Sequence, residues 1–361
     1  MRRRRCVAGW LMLLLIGAAP SFAVNAAVPA IPANRLWQLA ERDHRQTVQD
    51  SAVLHDADMQ RHLRSVVSRL WQHVGVDLAA PVVEVIKETR IDAYTYPNGY
   101  ILLTTGMLEQ IDNEAQLAMV LAHELIHYAR QHTVQLYVHL LSPDLNPIIA
   151  QRDVVEQVNK AEYQADREGL TIYKAAGYCT SALPRLFSNL IAGMEMRGAS
   201  GALDEMIARR LRLQAMLDQT PTADTCLSAS RDDHSFFLGC IAPALLANAQ
   251  TAVQQGDWDL ARRCLFDYMT VNSNSARAYY LQGEILRRRD GLDQVGHCTG
   301  YYETALKIDP QFSPAYLALG ELYFKAGRLQ EAKPYFETFL SLSPQYESRP
   351  FIEGYLRQCQ K

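Results

Sequence analysis

The chain has 361 residues, 48% of them hydrophobic and 21% charged, which is the balance of an ordinary globular protein and not of a disordered, collagenous or many-span membrane chain. That length suits about two domains. With 36 basic and 39 acidic residues the formal charge is −3, and a polyanion such as nucleic acid is excluded as a natural partner.

The first segment reads as a secretory signal peptide over residues 1–23. Arg2 to Arg5 precede the apolar run Cys6–Ala19, and the small-x-small sequences Ser21-Phe22-Ala23 and Val24-Asn25-Ala26 follow Pro20, giving the basic, apolar and cleavage regions in order. Without those four arginines, 32 basic residues face 39 acidic ones and the exported chain carries −7. The apolar run falls short of the roughly 20 residues that span a bilayer, and no later stretch reads as long enough to do so. Removing Cys6 leaves six cysteines, Cys179, Cys226, Cys240, Cys264, Cys298 and Cys359. An even number suits an oxidising compartment, but no CxxC spacing is present and buried thiols are equally consistent, so no pairing is assigned.

From Asn34 to Val74 apolar residues recur at helical spacing, as in Leu63, Val66, Val67, Leu70 and Val74, and predict one or two amphipathic helices. Pro81–Ile86 reads as a short strand. Tyr94–Thr104 reads as strand, turn and strand, with Pro97-Asn98-Gly99 supplying the turn. Asp112 or Asn113 caps the next helix, whose apolar positions Leu117, Val120, Leu121, Leu125 and Ile126 carry it to about Leu141. A second long helix is expected from about Arg152 to Ala176, stopped by Gly177. A basic helix around Ile207–Leu217 follows the break at Gly198–Gly201.

The first of these long helices carries His123-Glu124-Leu125-Ile126-His127. Residues four apart share a helical face, so both imidazoles can reach one Zn²⁺ ion while Glu124 lies beside them as a candidate general base. Ionisable groups inside an apolar helix cost several kcal/mol unless something offsets their desolvation, and a metal does so. The competing reading is a polar surface on that helix. A catalytic zinc needs a third protein ligand and an open position. Glu162 and Asp166, four apart on the second long helix, supply candidates: Glu162 can complete the ligand set, and Asp166 can accept the free ring N–H of a ligand histidine. Read alone, the same segment is also a solvated acidic face paired with Arg167 or Lys160. His132 and His139 fall off the metal-facing stripe and read as surface or packing residues.

Residues 220–233, with Pro221, Ser228 and Ser230, read as a linker. Beyond it the sequence repeats. Tyr316, Leu319, Gly320, Tyr323, Ala332, Phe336 and Pro344 fit the tetratricopeptide pattern, and Tyr279, Gly283, Leu286, Ala305 and Pro310 form the copy before it. A degenerate copy is marked by Gly256–Ala261, with Ala249 standing one 34-residue period before Gly283. A last helix from about Tyr346 to Gln358 should cap the array.

HELIH followed by ExxAD, with the strand-turn-strand and Gly106-Met107-Leu108 before it, resembles the zinc metallopeptidase family that includes the CAAX-prenyl endopeptidase, HtpX and Oma-type proteases. The leader and the repeats make it similar to the exported BepA-type members. The resemblance implies a mainly α fold with a small β-sheet: a gluzincin-like peptidase domain over residues 24–219, then an α-solenoid over 234–361. It implies one Zn²⁺ per chain held by His123, His127 and Glu162, with Glu124 as general base and Asp166 supporting a ligand. It further implies a periplasmic endopeptidase acting on misfolded outer-membrane proteins, with a chaperone role, unfolded polypeptide substrates and a partner in the outer-membrane assembly machinery bound by the repeats. The alternative is a non-proteolytic scaffold with a structural zinc site. Two departures stand out. The interval from His127 to Glu162 is short for a BepA-type protein, and the His-Pro pair with a following Arg expected after the second helix is absent; His234 could substitute in principle, but it reads rather as a linker histidine with no metal role. Arg209, Arg210 and Arg212 fall where that Arg would lie and are candidates for stabilising an oxyanion.

Overall fold

The computed structural model describes residues 33–140, 147–219, 233–290 and 295–359. The expected signal peptide lies outside the described residues, as does the expected linker apart from Asp233. Contacts divide the chain into two compact units that meet at Ala244 and Leu245.

In the first unit the apolar periodicity between Asn34 and Val74 resolves into α1 (Ala33–Ser51) and α2 (Ala57–Trp71). Asp56 caps α2 by accepting the Met59 N–H at 2.8 Å, and Met59, Leu63, Val66, Val67 and Leu70 form its buried face. Three strands follow, β1 (Val82–Ile86), β2 (Ala93–Thr95) and β3 (Tyr100–Thr104), in the spatial order β1-β3-β2. β1 runs parallel to β3, and β2 runs antiparallel to it. The hairpin closes through Tyr96 and Gly99, with Gly99 at φ +83°, a conformation that glycine adopts without steric cost. Ile101, Leu102 and Leu103 are all wholly buried. This unbroken apolar run marks β3 as a central strand covered on both faces, and leaves β2 at the edge.

A single-turn α3 (Thr105–Leu108) follows β3, and Asn113 then caps α4 (Glu114–Ala129) by accepting the Gln116 N–H at 2.9 Å. Glu114 in its first turn favours the helix N-terminus and is held by Arg69 at 2.6 Å. The helix expected to reach Leu141 instead stops at Ala129. Gln131 takes φ +55°, and a separate α5 (His132–Leu140) begins at the next residue. Neither Arg130 nor Gln131 is a helix breaker by type, so the break is imposed by packing. α6 (Pro147–Ala175) is the expected second long helix. It lies so close to α4 that a Cβ on Gly169 would stand 3.2 Å from the His123 amide nitrogen. Glycine there lets the two helices that carry the ionisable residues approach. A 3₁₀ turn (Thr180–Ala182), α7 (Leu183–Met196) and α8 (Ser200–Asp218) complete this part; α8 contains the predicted basic helix. Cys179 is disulfide-bonded, while Cys240, Cys264, Cys298 and Cys359 are thiols.

One expectation fails on α9 (His234–Gln255). This helix is long and apolar enough to cross a membrane by length and composition, contrary to the sequence reading. Its apolarity has a packing cause. Phe237, Leu238, Ile241 and Ala242 are buried in the first unit, and Leu245, Ala249, Ala252 and Val253 in the second.

The second unit continues with α10 (Trp258–Val271), α11 (Ala276–Asp290), α12 (Val295–Ile308), α13 (Ser313–Lys325), α14 (Leu329–Leu342) and α15 (Arg349–Gln358). These are the helix pairs the repeats predicted. At Gly283 a Cβ would fall 2.5 Å from the Tyr302 ring, and at Gly320 it would fall 2.6 Å from Phe336, so the small residue of each repeat is where its two helices touch. Ala249 fills the equivalent place in the first pair and is fully buried with Ala261 and Cys264. The last helix starts three residues later than expected. It covers the end of the array through Ile352 and through Tyr355, stacked 5.4 Å from Phe336.

Candidate metal centre

α4 and α6 bring His123, His127 and Glu162 together. One donor atom from each lies within 4.8 Å of the others. His123 Nε2 is 3.0 Å from His127 Nε2, and the Glu162 oxygens stand 3.3 Å from the first and 3.4 Å from the second. Ligands bound tetrahedrally at 2.0–2.1 Å from one ion lie about 3.3–3.4 Å apart. Two imidazole nitrogens and a carboxylate at these separations therefore fit a small divalent cation such as Zn²⁺, which this donor set suits. The alternative of a solvated acidic face is inconsistent with the burial, since both histidines are buried and Glu162 is largely covered.

Asp166 is wholly buried beneath the cluster, and its Oδ1 accepts the His123 Nδ1–H at 3.0 Å. A neutral ring with its proton on Nδ1 presents the Nε2 lone pair to the other donors. Arg209, on α8, forks onto the same carboxylate, with Nε 3.1 Å from Oδ2 and Nη2 2.7 Å from Oδ1. Its Nη1 lies 3.4 Å from Glu162. Its Nη2 also lies 2.9 and 3.3 Å from the two ring nitrogens of His123, and the residue lines the cavity beside the cluster. Burial opposes ionisation of Asp166, but Arg209 and His123 prevail and hold it at about 2. Burial likewise opposes the charge on Glu162, and His123 and His127 hold its carboxyl well below the usual range. His123 goes up to about 9 against burial and Arg209, because Glu162 and Asp166 favour its cationic form. Protons and a metal would compete for one electron-rich pocket.

Glu124 follows His123 on α4 but points to the sheet. Thr95, on the edge strand β2, donates to Glu124 Oε2 at 2.5 Å and to its backbone oxygen at 3.2 Å. Asp92, just before β2, is driven up to about 7 by burial against the pull of Arg90, with the Glu124 charge adding to the rise. A cavity of about 90 Å³ opens beside the cluster, and Glu124, Glu162, Met119, Leu186, Phe187 and Met206 are among the residues that line it.

The structure also places the remaining candidates. His132 is buried against His127, Nδ1 to Nδ1 at 3.2 Å, and so is not the surface residue the sequence allowed. On a continuous helix, five residues would turn it about 140° away; the break at Gln131 brings it back. Of the three candidate arginines Arg209 alone reaches the centre, while Arg212 pairs with Glu205 and Arg210 is exposed. His234 does not substitute as a ligand, because its Nδ1 is 2.8 Å from the Asp112 carbonyl. Arg209 had a legible signal: it lies between Met206 and Leu213 on the buried stripe of α8. Thr95 and the α7 wall had none.

Comparison with known proteins agrees with this architecture. Residues 57–150 match the model of peptidase family M48, and residues 246–293 and 301–333 match tetratricopeptide repeat models. The beta-barrel assembly-enhancing protease of Escherichia coli is 21% identical over 225 residues, covering 52% of this chain and 46% of that protein. Its Yersinia pestis counterpart is 20% identical over 172 residues, 40% of this chain and 35% of the relative. The mitochondrial metalloendopeptidase OMA1 of Arabidopsis thaliana is 26% identical over 122 residues, 30% of this chain and 25% of that one. The chain spans less than half the length of these relatives. It carries an M48 peptidase domain followed by tetratricopeptide repeats, which supports a metal-dependent protease. The M48 match contains both histidines and Glu124 but ends before Glu162, Asp166 and Arg209.

Proposed function

We propose that this chain is a zinc-dependent endopeptidase of the periplasm that cleaves unfolded polypeptides, with His123, His127 and Glu162 as the ligands and Glu124 as the general base. The observation that carries this reading is the triangle of donor atoms with Glu124 tied down beside it. A zinc ion held there supplies Lewis acidity and brings the acidity of water close to neutral pH. Thr95 holds Glu124 Oε2, so Oε1 is left to take a proton from the attacking water and deliver it to the departing amine. Asp166 and Arg209 keep His123 and Glu162 in place and in the right protonation state.

Edge strand β2, paired by β3 on one side, lies next to this machinery, and an extended substrate adds to its other side by β-pairing. β3, which carries Ile101 and Leu103, is central in the sheet and paired on both sides, so a substrate cannot add to it. Main-chain pairing selects for unfolded, β-prone segments, and the Met119, Leu186, Phe187 and Met206 wall selects an apolar side chain near the scissile bond. The repeats serve delivery by holding the client or a partner of the outer-membrane assembly machinery, and a chaperone role follows from the same binding. The reading is of a protein in the quality control of outer-membrane proteins, and the name of two relatives, beta-barrel assembly-enhancing protease, supports it.

The test is Glu124→Gln. Zinc content should be unchanged and cleavage of unfolded casein lost. Full activity in that variant overturns Glu124 as base. Stoichiometric zinc with no cleavage of any unfolded substrate by the unaltered chain would instead favour a scaffold with a structural metal.

A further inference from the structure

His132 is buried in the centre without a place in the chemistry above. Its surroundings fix its protonation pattern one step at a time. Arg130 can only donate, and its Nε lies 2.7 Å from Glu168 Oε2. The other oxygen of Glu168 accepts from Gln164 Nε2 at 2.8 Å, which fixes the Gln164 amide with Oε1 turned the other way. Oε1 can only accept, and His132 Nε2 lies 3.3 Å from it, so the His132 proton sits on Nε2. A neutral imidazole then has its lone pair on Nδ1. Facing that lone pair at 3.2 Å is His127 Nδ1, which must carry a proton, and the lone pair of His127 is thereby left on Nε2, 3.0 Å from His123 Nε2 and 3.4 Å from Glu162. The two rings stand edge-to-face, 80° apart with centroids at 5.0 Å.

We propose that His132, through Gln164, Glu168 and Arg130, is a positioning residue that sets the tautomer and orientation of His127 so that its Nε2 faces the metal. The inference rests on the metal centre proposed above. It gives the two histidine ligands different supports. His123 leans on a buried carboxylate that carries a full charge, whereas His127 leans on a neutral ring. A second buried carboxylate would add negative charge to a pocket already holding Glu162 and Asp166 against Arg209; the imidazole orients the ligand without it. The relay also explains the break between α4 and α5. Gln131 is held at φ +55°, a left-handed conformation that a non-glycine residue disfavours, and its neighbours on either side are Arg130 and His132, the two ends of the relay.

Two measurements on the full chain test this. Zinc affinity, read by competition with a chromophoric chelator, should fall about 10- to 100-fold in His132→Phe, the usual effect of removing a hydrogen-bond partner from a ligand histidine. His132→Asn, whose Oδ1 can accept where Nδ1 did, should recover most of that loss. A merely space-filling role predicts the reverse order, since Phe fills the site better than Asn. The second measurement is the ¹⁵N spectrum of the histidine rings in the unaltered protein, in which His132 should carry its proton on Nε2 and His127 on Nδ1. A proton on His132 Nδ1 overturns the relay, and this holds even if His132→Phe fails to fold. His123→Ala separates the two levels of inference. Loss of zinc there with none in His132→Phe overturns only the relay, whereas unchanged zinc in His123→Ala overturns the metal centre itself.

Discussion

Replacing Arg209 by Met should show how much of the centre depends on one buried cation. The guanidinium is 12% exposed and makes two bonds to Asp166, which is fully buried, plus one contact to Glu162. Met keeps much of the apolar stem and removes the charge, leaving Asp166 with the His123 N–H as its remaining described partner. Breaking a buried ion pair by deleting one member costs about 3–5 kcal/mol, a large part of the 5–15 kcal/mol that typically holds a domain together. Part of this cost is linked to protons. Asp166 is held at about 2 against burial, chiefly by Arg209, and a carboxyl whose folded value lies below its ordinary value of about 3.9 stabilises the fold above that pH and loses its contribution as pH falls toward 2. That shift corresponds to about 2 kcal/mol. In Arg209→Met the acid limb of stability should move to higher pH. Urea denaturation of the chelator-treated protein, followed by near-UV circular dichroism between pH 3 and 7, reads both quantities. A double-mutant cycle sharpens the result: Asp166→Asn in the Arg209→Met background removes the stranded charge and should restore a substantial share of the loss. If Arg209→Met costs less than about 1 kcal/mol, the value of an exposed pair, or if Asp166→Asn makes matters worse, the reasoning is wrong.

Two further outcomes follow from the groups around Glu124. Thr95→Val keeps the shape of the side chain and removes the 2.5 Å bond to Glu124. A hydrogen bond to a charged group is worth about 1.5–3 kcal/mol, so kcat/KM on an unfolded substrate should fall at least about tenfold with zinc content unchanged; an unchanged kcat/KM refutes the role. Asp92 titrates at about 7 because of burial, despite Arg90, with Glu88 and Glu124 adding to the rise. The unfolded chain ionises it first, so its contribution to stability is intact below about pH 4 and is lost as pH climbs through 7. Asp92→Asn should therefore be nearly neutral at pH 4 and stabilise by up to about 4 kcal/mol at pH 8, measured as a difference in urea midpoints; equal effects at both values would show that Asp92 is not neutral in the fold.

The parts of this molecule that were legible in its sequence are those written in short periods. The four-residue spacing of His123 and His127, and of Glu162 and Asp166, reports a shared helical face directly, and the repeat positions Gly283 and Gly320 report where helices touch. What could not be read depends on long-range packing. Gln131 adopts a left-handed backbone that its residue type does not favour, so nothing local announces the break that returns His132 to the centre. The sheet order is of the same kind. The hairpin was legible from Pro97-Asn98-Gly99, but the insertion of β3 between β1 and β2, which decides which strand is the edge, depends on partners far apart in the chain. The apolar length of α9 was missed for a related reason: its burial continues from one end of the helix to the other, which gives it the composition of a helix that crosses a bilayer without any single core to announce it.

That last point changes where the chain should be divided. A cut in the linker near Ala229 looks natural from composition, yet it would strip α9 from the first unit. Phe237, Leu238 and Ile241 are each no more than 4% exposed there, the rings of Phe236 and Phe237 lie 6.2 and 6.3 Å from His62, and His234 bonds to the Asp112 carbonyl just before the cap of α4. Burying a side chain of this kind contributes about 1.5–3 kcal/mol. Losing three removes about 5–9 kcal/mol, which is comparable to the whole stability of a domain. A fragment of residues 24–255, which retains all of α9, should fold, bind zinc and cleave a generic unfolded substrate. A fragment of residues 24–229 should melt far lower or fail to fold, and should lose zinc through the disturbed start of α4. Calorimetry and metal analysis of the two fragments decide the matter. Equal melting temperatures and equal zinc content would mean that the first turns of α9 only lie on the peptidase unit without holding it together.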